Sequence, residues 1–376
     1  MRIGIPKEIK TLEGRVAMIP AAAGELVNHG HEVFVQQGAG LLSGYADADY
    51  TAVGAGLVPS AKDLYAAAEL VIKVKEPIEP EFELLRSDHL LFCYLHLAAL
   101  PELTAVLQDK ALTAVAWETV AEGGRLPLLA PMSDVAGRLA VQVATQHLQH
   151  LNGGSGVLLG GLPAAERAHV VILGSGSVGA NAAVVAAALG ARVTVFSRRR
   201  ESLERMHALA ANVTALPSFA ALLEEHVPTA DVLIGATLIP GGRTPILVPR
   251  SLVERMRPGS VIVDVSIDQG GCVETSRPTT WADPTYVVSD VVHFGVTNMP
   301  GAVPRTSSQA LSTSVLPYAL RLAASGGLED PAIRAGINVQ HGEIIHPGVR
   351  AAMRGGSDEP QAANPVRVRY PDDDEA

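Results

Sequence analysis

Cysteine is scarce, with Cys93 and Cys272 the only two in 376 residues. Two thiols cannot build a disulfide framework, and neither sits in a metal-ligand spacing, so no cross-linked miniature fold and no metal centre are expected. Aromatic residues make up 4% of the chain, which leaves aliphatic side chains to fill the core. No stretch reaches 18 uninterrupted apolar residues, and the opening "MRIGIPKEIK" mixes charge with apolar residues. A cytoplasmic protein with no membrane partner is expected. Basic residues are the minority, 29 against 39 acidic, for a net charge of −10, and no basic stripe with interleaved aromatics occurs. Nucleic acid is therefore not an expected partner.

What remains is 48% hydrophobic with 36 glycines, the profile of an α/β enzyme with length enough for two domains. The first 125 residues alternate short apolar runs with helical patterns ("HEVFVQQGAG", "ELVIKVKEP", "HLLFCYLHLA", "ALTAVAWETV"), which predicts a doubly wound parallel sheet. A long helix follows in "SDVAGRLAVQVATQHLQHL", with Ser133 as its expected N-cap and Val135, Leu139 and Val143 on one face. A second α/β set runs from "HVVILGSGSVGANAAVVAAALGARVTVF" to about residue 300, and a further helix to about 325. The end of the chain, 351–376, is rich in Pro, Gly and charge and is expected to be a disordered tail.

The second set carries Gly174, Gly176 and Gly179 in G-x-G-x-x-G spacing, after a β-branched run and before an alanine-rich helix. The spacing alone says little in so glycine-rich a chain, but the strand-turn-helix context makes it a dinucleotide fingerprint of the Rossmann type. The helix N-terminus would face the pyrophosphate with free N–H groups. About 20 residues past the first glycine, NAD enzymes place an acidic residue on the ribose hydroxyls. Here the strand "ARVTVF" ends in Ser197, Arg198, Arg199 and Arg200. Losing the carboxylate removes repulsion of a 2′-phosphate, and guanidinium groups add charge-assisted bonds to it. NADP(H) is the preferred reading, with Arg198 facing the phosphate, and NAD(H) is the alternative.

Four more residues carry candidate chemistry. If "VIKVKEP" is a strand stopped by Pro77, Lys73 and Lys75 share a face and Lys75 lies nearest the carboxyl end, where open α/β sheets bind ligands. If "LLFCYLHLA" is a strand, Phe92, Tyr94 and His96 share one side and Cys93 the other, which excludes a Cys93–His96 nucleophilic pair. Asp268 follows the strand around Val261, Val263 and Val265, before Gly270 and Gly271. Arg15 is suited to gripping a carboxylate at two points.

Seven ordered segments, "GIPKEIKTLEGRVAMIP", "VIKVKEP", "LFCYLHLA", "LLAPMSDVAGRLA", "GGSGVLLGG", "VSIDQGGCVETSRPTT" and "VTNMPGAVPRTS", give the chain a close resemblance to the L-alanine dehydrogenase family over about residues 1–350. The resemblance implies two doubly wound parallel-sheet domains. A Rossmann domain (129–304) would be inserted in a discontinuous substrate domain (1–128 with 305–350). It implies a homohexamer that reversibly deaminates L-alanine to pyruvate and ammonia by hydride transfer to a nicotinamide coenzyme. It makes Arg15 and Lys75 substrate-binding, His96 the acid/base catalyst and Asp268 its partner. It brings Ser133, Val178, Leu238, Ile267, Asn298 and Met299 to the coenzyme beside the glycines. A neutral amine must precede loss of hydride from Cα, so the chemistry calls for a base that titrates near neutrality, and histidine is such a base.

Departures from the family pattern are Ser197 in place of the ribose aspartate, Thr297 before "NMP", and Thr313 in "ALSTSVLPYAL". The two threonines are expected near or behind the active site, where they would alter the side chain admitted. Another small 2-oxo or amino acid is thus an alternative substrate. A nucleotide-binding module related to transhydrogenase is the alternative of another class.

Overall fold

The computed structural model describes residues 1–237 and 244–354. Fifteen strands among them form two sheets. β1 (Arg2–Ile5), β2 (Glu32–Gln36), β3 (Gly56–Val58), β4 (Leu70–Ile72), β5 (Leu90–Cys93) and β6 (Thr113–Ala116) come from the first part of the chain. β7 (His169–Leu173), β8 (Arg192–Ser197), β9 (Val213–Pro217), β10 (Val232–Gly235), β11 (Val261–Asp264), β12 (Thr285–Val288) and β13 (Val291–Phe294) build the second sheet. β14 (Ile337–Gln340) and β15 (Glu343–Ile344) return to the first.

The first sheet has the order β15-β14-β6-β5-β4-β1-β2-β3, and the second β12-β13-β11-β10-β7-β8-β9. Pairing is parallel except at β14 and β15 in the first sheet and β12 in the second. The middle strands β4, β7, β10 and β11 are buried throughout, as expected for parallel strands covered on both faces by helices. This is the doubly wound α/β fold expected, with one sheet assembled from both ends of the chain.

The long helix spans Ala130–His147, so Ser133 is not its N-cap. Pro131 explains the earlier start, because its fixed φ suits the first turn of a helix and its missing N–H costs nothing there. Val135, Leu139 and Val143 are buried, as their spacing predicts. Met132 and Val135 belong to the first sheet's core, whereas Leu139 and Val143 belong to the second's. Residues 351–354, expected in the tail, close the helix Pro347–Arg354, and the tail from 355 lies outside the described residues. Among the described residues no helix is long and apolar enough to cross a membrane.

Candidate active site

β4 stops at Ile72, short of both lysines, and the chain bends at Val74 and Lys75. Pairing continues on one side only: Lys73 N–H donates to the Phe92 carbonyl and Tyr94 N–H to that of Val74. On the other side the Glu8 carboxylate replaces the neighbouring strand, accepting the Val74 N–H at 2.5 Å and the Lys75 N–H at 3.3 Å. The bend gives the lysines different surroundings. Lys73 is buried, 2.9 Å from Glu81 and 3.6 Å from Glu8, in a structural ion cluster completed by the Tyr65 hydroxyl on Glu81. Lys75 lies 3.6 Å from Glu76, whose other oxygen is held by Lys10.

His96 follows β5 in a left-handed backbone conformation, φ 50°, with its ring exposed. Tyr94 stacks on that ring at 5.9 Å and 16°, and its hydroxyl donates to the Leu128 carbonyl. Cys93 packs into the core on the opposite side of the sheet, with Leu91 and Leu95. The Leu95 and His96 N–H groups both donate to the Glu118 carboxylate.

Asp268 projects from the short turn Val265–Gln269 after β11. Water reaches it, yet the crevice walls crowd it enough that burial raises its carboxyl above the ordinary range, against the pull of Lys75, His96 and the Asn298 N–H. Asp268 thus lies within electrostatic reach of Lys75 and His96 and beside the Asn298 N–H. Arg15 joins them through Asn298, whose side-chain oxygen accepts from Nη2 at 2.7 Å. Its Nε and Nη2 are also engaged by Glu13, while Nη1 meets only the weakly accepting sulfur of Met132 at 3.2 Å. The two-point grip expected of Arg15 is thus taken by Glu13, and Nη1 is the one nitrogen of this buried guanidinium without a strong acceptor. Burial works against ionisation of Glu13, but the Arg15 bonds and charge prevail and hold its carboxyl below the ordinary range. The loop bearing Arg15 is fixed from behind by Ser308 and Ser312, which accept the Val16 and Ile19 N–H groups.

The glycine loop has the shape a dinucleotide needs. Gly174 has φ 110°, and a Cβ there would come within 2.5 Å of the Ala236 carbonyl. A Cβ on Gly179 would meet the Gly174 carbonyl at 1.9 Å, whereas one on Gly176 would enter open space above the helix Ser177–Ala188. No side chain caps that helix, so its first N–H groups stay available to an anion. Val178 lies in its first turn, and Asn181, one turn further on, donates to Asp134, the chain neighbour of Ser133. Ser197 closes β8, buried, and accepts a 2.7 Å hydrogen bond from Ser175 in the glycine loop. Arg198 and Arg199 are exposed beside it, Arg200 is paired with Glu204, and Arg205 supports the loop through the Ser175 carbonyl. Ile267 and Met299 are buried next to Asp268 and Asn298. Leu238 lies outside the described residues. Among the described residues no cluster could hold a metal ion.

The model for the Alanine dehydrogenase/PNT N-terminal domain matches residues 4–136, and that for the C-terminal domain matches residues 140–347. The chain belongs to the alanine dehydrogenase family. The alanine dehydrogenase of Methanococcus maripaludis is 47% identical over 359 residues, covering 94% of this chain and 96% of that one. That of Bacillus subtilis is 47% identical over 355 residues, covering 93% and 94%. A solved L-alanine dehydrogenase superposes with a TM-score of 0.91 at 52% identity, over 94% of this chain and 99% of its own. The transhydrogenase of Sinorhizobium meliloti superposes at 0.82 with 26% identity, over 92% and 100%. This alanine dehydrogenase family member is an amino-acid dehydrogenase, and its family uses a nicotinamide coenzyme.

Several residues that shape this dehydrogenase's crevice are silent in the sequence. Glu13 could have been suspected from its place two residues before Arg15, but Glu118 and Glu8 reach the site only through strand order. Thr313 is exposed, and its hydroxyl donates to the Gln309 carbonyl one turn earlier. Thr297 is exposed beside Asn298.

Proposed function

We propose that this enzyme interconverts L-alanine with pyruvate and ammonia, and that NADP(H) is its preferred coenzyme. The observation that carries the reading is that Lys75, His96 and the Asn298 N–H all act on the Asp268 carboxylate, with Arg15 bonded to the same asparagine. The Arg15 Nη1 group would hold one oxygen of the substrate carboxylate and the Lys75 ammonium the carbonyl oxygen, which orients Cα. In the deaminating direction His96 takes a proton so that the amine is neutral when Cα loses its hydride. Asp268 and His96 would then guide water onto the imine and shuttle protons until ammonia leaves the carbinolamine. A bound nicotinamide supplies the acceptor or donor of that hydride. Gly174, Gly176, Val178, Gly179, Ser133, Ile267 and Met299 would hold the coenzyme.

NADP preference rests on the end of β8. The paired Ser175 and Ser197 hydroxyls offer hydrogen bonds without charge, and Arg198 and Arg199 lie exposed alongside. Arg200 is already engaged by Glu204, which leaves Arg198 the guanidinium next to the strand end. Initial rates of pyruvate amination with NADPH and with NADH test this directly. Wild type should favour NADPH. In Ser197→Asp the ratio of kcat/KM values should move towards NADH by about 10–100-fold, the worth of one charge-assisted hydrogen bond gained or lost. An unmoved ratio would refute the ribose-site reading. Turnover of another 2-oxo acid in place of pyruvate would favour the alternative substrate. A hydride exchanger of the transhydrogenase kind has no use for a grip on an amino acid, and the Arg15, Lys75, His96 and Asp268 constellation speaks against it. The proposal includes the domain limits 1–128, 129–304 and 305–350 and a cytoplasmic homohexamer, which limited proteolysis, cell fractionation and light scattering would check.

A further inference from the structure

We propose that Glu118 is a positioning residue for His96, a role that rests on the reading of His96 as the acid/base group. The parallel register of β5 and β6 sets Cys93 beside Ala116, and the last ladder bond runs from the Trp117 N–H to the Cys93 carbonyl. One residue further the backbone pairing ends, and the Glu118 side chain takes over as acceptor. Its carboxylate receives the Leu95 N–H with both oxygens at 3.2 Å and the His96 N–H at 2.6 Å.

That bond falls where the backbone most needs support. His96 has φ 50° and ψ 34°, a left-handed conformation that crowds a β-carbon and persists only when its surroundings impose it. Two successive N–H groups turned towards one ionised acceptor impose it here, and a charge-assisted acceptor is stronger than the carbonyl it replaces. Tyr94, stacked on the imidazole and braced at 5.1 Å against Trp117, sets the ring plane. Glu118 sets the backbone from which the ring springs. Together they aim an exposed histidine at Asp268 without a direct side-chain bond from Glu118 to the imidazole.

The test uses the full-length enzyme and four variants assayed with pyruvate, ammonium and coenzyme. Glu118→Ala should lower kcat by about 10–100-fold, the scale of a misplaced catalytic group. KM for pyruvate and coenzyme should stay within about threefold, because neither is bound by Glu118. Glu118→Gln keeps a carbonyl oxygen for the two N–H groups and should recover most of the lost kcat. In a His96→Ala background the further change Glu118→Ala should have no effect on the residual rate. Three results would overturn the inference: an unchanged kcat in Glu118→Ala, a glutamine variant as impaired as the alanine one, or an equal additional loss without His96. If His96→Ala itself retains activity, the assignment of His96 fails instead, and the two failures are told apart.

Discussion

Asp268→Asn is expected to lower kcat by about 10²–10⁴-fold, the usual contribution of a positioned acid/base group, and at the same time to raise the melting temperature at neutral pH. The second half follows from the direction of the Asp268 shift. Burial raises its pKa, and the attraction of Lys75 and His96 does not cancel that effect. A carboxyl raised on folding contributes its full stability below the unfolded value, about 3.9, and loses it as pH rises through the folded value. At neutral pH the native protein therefore carries a destabilising carboxylate that an amide would remove. The gain should shrink as pH falls towards about 4, where the wild-type group is itself protonated. Thermal melts at the two pH values, alongside initial rates, check both halves. Loss of activity with no thermal gain would mean the carboxylate is better compensated than its surroundings indicate.

The second large effect is expected from Lys73→Met. Lys73 makes no approach to the crevice; it neutralises Glu8 and Glu81 inside the first core. Removing one partner of a buried ionic group costs about 3–5 kcal/mol, because the charge left behind has neither water nor a counter-ion. Burial raises the Glu8 pKa even with the lysine in place. The variant's deficit should therefore be greatest at alkaline pH and ease as pH falls and Glu8 takes up a proton. Urea unfolding across that range gives the measurement. Since Glu8 also fixes the Val74 and Lys75 N–H groups, KM for pyruvate should rise in the same variant. A flat stability profile would show that the carboxylates find other partners.

The glycine loop and the two doubly wound sheets could be read from the residues because both depend on local pattern: apolar strands, helical spacing and a fixed three-glycine turn. The sides taken by Phe92, Tyr94 and Cys93 followed equally from the two-residue period of a strand. What escaped depends on which strands become neighbours. Glu118 meets His96 because β5 lies beside β6, and Glu8 ends the lysine strand because β1 lies beside β4. Neither relation leaves a trace in the spacing along the chain. The long helix starts ahead of Ser133 for a different reason: Ser133 and Pro131 are both good initiators, and the proline two residues earlier prevails.

The helix Ala130–His147 divides its buried face between two interiors, Met132 and Val135 on one side and Leu139 and Val143 on the other. Between them Gly137 leaves no clearance, since a Cβ there would meet the Val178 carbonyl at 2.2 Å. A rod shared in this way ties the fate of the two lobes. Heat that loosens one interior strips the helix of half its cover and exposes apolar surface that the other then has to lose as well. Calorimetry should accordingly show one endotherm where two independent bodies would give two.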